Sequence, residues 1–240
     1  RCCTRRPGAD VSAGAGAVAI GAAKLAKSVW DTGKEFESYK SQLATIFKET
    51  EVTCYFKTDA ELDKIRKLAR LTPFVYSELV QASTLWRVYG QDPFSMYKYK
   101  NPDFKADQPA NENNKEYLER ELILFAGDLA GATGRSLGDA QAALIRAMND
   151  NWRSMQLTFG MSKVLVEQKI GRPLSQADDE QGRLDRLAGL VQFISENYGG
   201  GMERLAQTTE GIISNLEDAW TAFKKEVADV GAFDDVRKSL

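Results

Sequence analysis

Val18, Ala22, Leu25, Val29, Thr32, Phe36, Tyr39, Leu43 and Ile46 follow one another at alternating intervals of four and three. A strand cannot hold such a set on one face, because its side chains alternate with period two, whereas a helix aligns them in a narrow stripe. The spacing predicts one long helix over residues 17–50, roughly 45 Å in length at about 1.5 Å per residue. A stripe that narrow suits a partner helix across a homo-oligomer seam, with Val18, Leu25, Val29, Phe36, Leu43 and Ile46 as its contacts. It suits an ordinary bundle helix equally well. Ala22 and Thr32 weaken the seam, and Gly33 costs about 1 kcal/mol within a helix.

The same alternation returns near the other end. Ile213, Leu216, Trp220, Phe223 and Val227 mark a second long amphipathic helix with polar residues between them. Shorter helices lie between the two. Pro73 lacks an amide hydrogen and biases Thr72 away from helical angles, so the helix through Leu62, Ile65 and Leu68 must end there. Thr58 with Glu61 reads as the capping box that opens that helix, and Ser77 as the cap of the next, which stops at Gly90 before Pro93. Ser136 with Asp139, Ser162, and Ser175 with Asp178 read as further starts. Leu118, Leu122, Phe125, Leu129 and Ala132 form another stripe, closed by Gly131 and Gly134, while residues 149–160 show no helical period.

Residues 94–115 differ in kind and read as an aperiodic surface insertion rich in Asn and Pro. Gly199, Gly200 and Gly201 make the sharpest break in the chain, since three permissive residues cannot sustain a helix cheaply. They read as a pivot between two amphipathic helices, and alanine in all three places is predicted to favour a continuous rod by about 3 kcal/mol. The resulting organisation is all-α, with several short helices and two long amphipathic ones able to form a coiled-coil oligomer. A basic N-terminal segment spans 1–16, the heptad helix 17–50, a helical domain with the insertion 51–174, and the C-terminal helices 175–240.

Composition narrows the function. The 240 residues are 43% hydrophobic, enough for one or two buried cores, and 32 basic against 34 acidic side chains leave no global field toward nucleic acid. Histidine is absent, which removes the usual general base near neutral pH and the commonest metal ligand. Cys2, Cys3 and Cys54 have no paired spacing and fit a reducing compartment. The acid pairs Asp178–Asp179 and Asp234–Asp235 are adjacent, so on a helix they point about a hundred degrees apart and not at one substrate. A non-enzymatic protein without metal or cofactor is expected.

Arg1, Arg5 and Arg6 precede the uncharged run VSAGAGAVAIGAA, which is too short to span a bilayer. Gly14, Gly16 and Ala19, with Glu35 and Glu37 downstream, approach a dinucleotide fingerprint but follow no strand-forming stretch. Lys98, Lys100 and Lys105 interleaved with Tyr97, Tyr99 and Phe104 could stack on a nucleic-acid strand, although a solvated loop with anchoring aromatics explains them more simply. No specific nucleic-acid recognition is expected. Starting at Arg1 and not at Met, the chain reads as a piece of something longer.

Three stretches carry a family resemblance. They are Thr72-Pro73-Phe74 through Ser77-Glu78-Leu79-Val80 to Tyr89-Gly90-Gln91-Asp92-Pro93, the run AGDLAGATGRSL at 126–137, and YGGGMERLAQTTEGIISNLEDAWTAF at 198–223. Together they resemble the N-terminal-type helical domain of tailed-phage tape measure proteins over most of residues 17–227, departing from it at the insertion. The resemblance implies a structural protein in the virion tail, assembled in the host cytoplasm. Such a protein occupies the tube lumen, governs tail assembly and length, and leaves during genome ejection. It further implies self-association as a trimer or hexamer, contact with tail tube and baseplate or tail-tip hub proteins, and an encounter with the host membrane. A membrane-acting helical channel or pore is the alternative, with the Ala/Gly-rich first helix and the glycine pivot as its moving parts.

Overall fold

The computed structural model describes residues 11–47, 54–101, 104–107 and 115–229. Among these the chain forms ten helices and one two-stranded sheet, a predominantly all-α fold. In order they are α1 (Val11–Phe47), α2 (Cys54–Ala69), α3 (Tyr76–Val88), β1 (Met96–Lys100), β2 (Tyr117–Glu121), α4 (Leu122–Thr133), α5 (Leu137–Met148), α6 (Arg153–Phe159), α7 (Lys163–Ile170), α8 (Glu180–Tyr198), α9 (Gly201–Ala206) and α10 (Thr209–Asp229). Residues 1–39 with 219–240 form one compact unit and residues 40–218 the other.

The larger unit is built on α4. Its sequence, LILFAGDLAGAT, is apolar on every side, so it must be covered on every side. Leu122, Ile123, Phe125, Ala126, Leu129 and Ala130 are accordingly buried. They share a core with Leu144 and Ile145 of α5, Leu79 and Trp86 of α3, and Leu190 and Ile194 of α8. Several ends fall where cap chemistry puts them. The Ser136 and Ser162 hydroxyls accept the N–H groups of Asp139 and Leu165, and Gly134, Gly160 and Gly171 close α4, α6 and α7 in the left-handed conformation.

Other starts differ from the expectation. α2 opens at Cys54, so Thr58 and Glu61 lie inside it. The Glu61 carboxylate is buried, accepting from Ser83 Oγ at 2.6 Å and pairing with Arg87 Nη2 at 2.9 Å on α3. α3 begins one residue before Ser77, with Val75 at the N-cap position. Its free amides go to carboxylates, Val75 N–H to Glu78 at 3.3 Å and Tyr76 N–H to Asp218 at 2.9 Å. α8 is capped by Asp179, which accepts the Gly182 N–H, and not by Ser175. Between Asn149 and Gly160, where no period was visible, the seven residues of α6 form a helix.

The largest correction concerns residues 94–115. The run MYKYK in this stretch is strand β1, antiparallel to β2, with Met96 opposite Glu121 and Lys100 opposite Tyr117. Leu118, assigned above to a helical stripe, lies in β2. Alternation of aromatic and lysine residues is a period-two signal, and here it marks a strand with one covered face: Tyr97 and Tyr99 are half-buried while Lys98 and Lys100 are exposed. Tyr99 meets Phe125 edge to face at 5.4 Å, and Lys98 lies over the Tyr117 ring at 5.0 Å.

Candidate functional site

Gly199–Gly201 form a tight turn rather than a bare linker. Gly200 has φ of 73°, a conformation side chains rarely adopt, and Gly201 opens α9 against α4. A Cβ on Gly201 would stand 2.3 Å from the Asp128 carbonyl oxygen, and one on Gly131 would stand 2.6 Å from the Gly201 oxygen. The two helices thus cross backbone against backbone, and only glycine at both positions permits the approach.

Asp128 fixes that crossing. Its carboxylate is fully buried, accepts the Met202 N–H at 3.2 Å and pairs with Arg120 Nη1 at 2.5 Å; Arg120 Nη2 reaches Glu203 at 2.8 Å. Burial pushes the Asp128 carboxyl up to about 6, against the lowering effect of the Arg120 guanidinium and the Met202 and Gly200 amides. Beside the network is a cleft of about 570 Å³ lined by Tyr99, Asn101, Arg120, Asp128, Asn197 and Arg204 among others. The guanidinium and carboxylates there are already spent on one another. Asp128 carried one sequence signal, a single acid in an otherwise apolar helix; Arg120 and Glu203 carried none, because only the folded chain brings β2 beside α9.

Within the smaller unit, Val29 and Phe36 of the first stripe are buried inside a single chain. Lys224 of α10 donates to Ser28 Oγ at 3.3 Å, and Lys225 stands 5.3 Å from the Phe36 ring centre. In the larger unit Leu43 is fully buried and Ile46 half-buried. The side chains of Val18 and Leu25 lie outside the described residues, as do Cys2, Cys3, Asp234 and Asp235. Gly14 and Gly16 fall inside α1, where no strand-turn-helix fingerprint can exist. Among the described residues no cluster of acids and cysteines could hold a metal ion, and no helix is long and apolar enough to cross a membrane.

The second stripe faces outward. Ile213, Trp220 and Phe223 are each 50% exposed and Leu216 is 70% exposed, while Val227 is half-buried. Trp220 and Phe223 stack at 5.4 Å. The opposite side of α10 turns Ser214, Asn215 and Asp218 inward, where Ser214 Oγ, Asn215 Oδ1 and Asp218 Oδ2 have no hydrogen-bond partner among the described residues. Burial raises the Asp218 carboxyl to about 6 although the Tyr76 amide opposes the shift.

Comparison with known proteins bears on what such a scaffold belongs to. Over 229 residues, 95% of its length, the chain is 24% identical to the Mu-like prophage FluMu protein gp42 of Haemophilus influenzae. The chain is similar to a phage-derived protein almost end to end. It spans 33% of that curated relative's length. No family model matches the chain, and no solved structure does.

Proposed function

We propose that the chain is a structural, non-enzymatic segment of a phage tail tape measure protein. In this reading it occupies the tail tube lumen, takes part in tail assembly and length control, and leaves during genome ejection. Its partners are further copies of itself, the tail tube and the baseplate or tail-tip hub, and its location is the virion tail after assembly in the host cytoplasm. The observation that carries the reading is similarity along nearly the whole chain to a longer prophage protein. The resemblance of residues 72–93, 126–137 and 198–223 to tape measure domains makes it specific. Consistent with a scaffold, the buried charges Asp128, Glu61 and Arg186 hold helices and loops together: Arg186, for instance, donates to the carbonyls of Met148, Ser175 and Ala177.

The test is an in-frame deletion of the segment from its phage gene, read by electron microscopy of lysates and mass spectrometry of purified particles. Absent or altered-length tails, with peptides of the parental segment found in intact virions, are expected. Tails of normal length and number, or virions lacking those peptides, overturn the reading.

A further inference from the structure

α9 has six residues, too few for a helix to stand alone in water, so its place depends on what it touches. It packs chiefly on α4. Gly201 and Met202 are buried while Glu203 and Arg204 are exposed, so one short face does the holding. That face is held by the glycine crossing with Gly131, by the Met202 side chain packed over Gly127, and by the Met202 N–H donated to the Asp128 carboxylate. Asp128 also accepts from Arg120 of β2, and Arg120 in turn donates to Glu203 of α9. The polar ties that seat α9 on α4 and β2 therefore meet at one acid.

The charges that meet there do not balance. One guanidinium, Arg120, faces two carboxylates, and Asp128 is fully buried. Groups on the neighbouring elements do not correct the excess. Tyr99 of β1 stays a neutral phenol, Glu196 near the end of α8 is a further acid, and Arg204 of α9 is exposed and bonded to the Gly199 carbonyl. α5, also packed on α4, turns Asp139 and Arg146 to solvent. A buried carboxylate with a second acid sharing its only cation is eased by a proton, which removes both the desolvation cost and the repulsion. We propose that α9 is a proton-controlled latch, held on α4 while Asp128 is protonated and opened more often once that acid ionises. The raised Asp128 carboxyl, near 6 and pushed up first by burial, agrees with the charge count. Opening α9 hands the carboxylate to water and to its ordinary value of 3.8, so opening releases a proton and is favoured as pH rises toward about 6. The latch goes beyond the tail-assembly reading and does not depend on it.

Amide hydrogen exchange of the full chain, corrected for the intrinsic pH dependence of exchange, tests it. Protection of the Met202 N–H should fall about tenfold between about pH 5 and pH 7, as expected for an acid that moves from about 6 to 3.8 when α9 opens. The fall should persist in low urea without a urea slope, the mark of a local opening, whereas buried amides of α5 should follow global unfolding. In Asp128→Asn the fall should vanish. In Glu203→Gln, a change at an exposed side chain, it should shrink, because Arg120 is then left to Asp128 alone. A carboxyl NMR titration of the parent needs no variant, and there Asp128 should titrate near 6. Met202 protection that is indifferent to pH, that shares the urea slope of α5, or that falls equally in Asp128→Asn overturns the proposal. So does an Asp128 carboxyl that titrates near 3.8 in the folded chain.

Discussion

α4 is apolar around its whole circumference and packed along most of its length, and its single carboxylate, Asp128, meets a guanidinium and amide donors. α10 is amphipathic, yet its apolar face is the exposed one, and of the Asp218 oxygens one accepts the Tyr76 amide while the other has no partner. Buried carboxylates occur in both. What separates them is satisfaction: the α4 acid is paired because neighbouring elements bring several donors to it, and the α10 acid is half-paired because one backbone amide reaches it and no second donor does. A helix that closes its own polar account belongs to the interior of one chain.

Three measurements bear on that contrast. The largest effect is expected at the backbone crossing that seats α9 on α4. Gly201→Ala places a Cβ where the Asp128 carbonyl oxygen stands, 2.3 Å away, and should destabilise the fold by about 3 kcal/mol in urea unfolding. Alanine at 199–201 was expected from propensity to straighten the chain into a rod. With the close approach known, lost stability should outweigh any gain in helix, and an unchanged urea midpoint would remove the crossing from the argument.

Next in size is a pH effect of unusual sign. The Asp128 and Asp218 carboxyls are both raised to about 6, so the folded state holds their protons more tightly than the unfolded chain does. Their contribution is full below the unfolded pKa near 3.8 and is lost as pH rises through about 6. For buried Asp128 the difference is on the order of 2 kcal/mol between pH 4 and pH 7. Asp150, held low by its bond to Lys163, acts in the opposite sense, losing its contribution as pH falls below the ordinary aspartate range. Thermal unfolding from pH 5 to 7 should show stability falling, with a shallower slope in Asp128→Asn. Equal slopes in the two proteins would show that the α4 carboxylate is ionised throughout.

The smallest effect belongs to the exposed stripe. Leu216→Ser should change the stability of the fold by less than about 0.5 kcal/mol, since the side chain is already 70% exposed. A loss of 2 kcal/mol or more in urea titrations would mean that α10 is packed apolar side inward and would erase the contrast.

What could be read from sequence follows the same division between local and distant partners. Both long helices and the stop at Gly134 were legible, because a stripe or a left-handed glycine states its requirement within a few residues. The Thr58 and Ser77 caps were misplaced where distant groups enter, the α3 side chains that hold Glu61 and Asp218 at the start of α3, whereas the Ser175 cap gives way to its close neighbour Asp179. The hairpin was missed because β1 gains its partner only at Tyr117–Glu121. The periodicity of α10 was correctly placed, but no pattern within a helix says which of its faces the rest of the molecule will meet.

The bond from Tyr76 N–H to the Asp218 carboxylate spans 142 positions of sequence. On a ribosome adding about 5–20 residues per second, α3 therefore emerges roughly 7–30 s before the acid that completes its first turn. During that interval the amide is left to water, and a nascent chain or fragment ending short of Asp218 carries a frayed α3 whatever the quality of the core beneath it. A carboxylate made 142 positions later, and not only the local Glu78, completes the first turn of this helix.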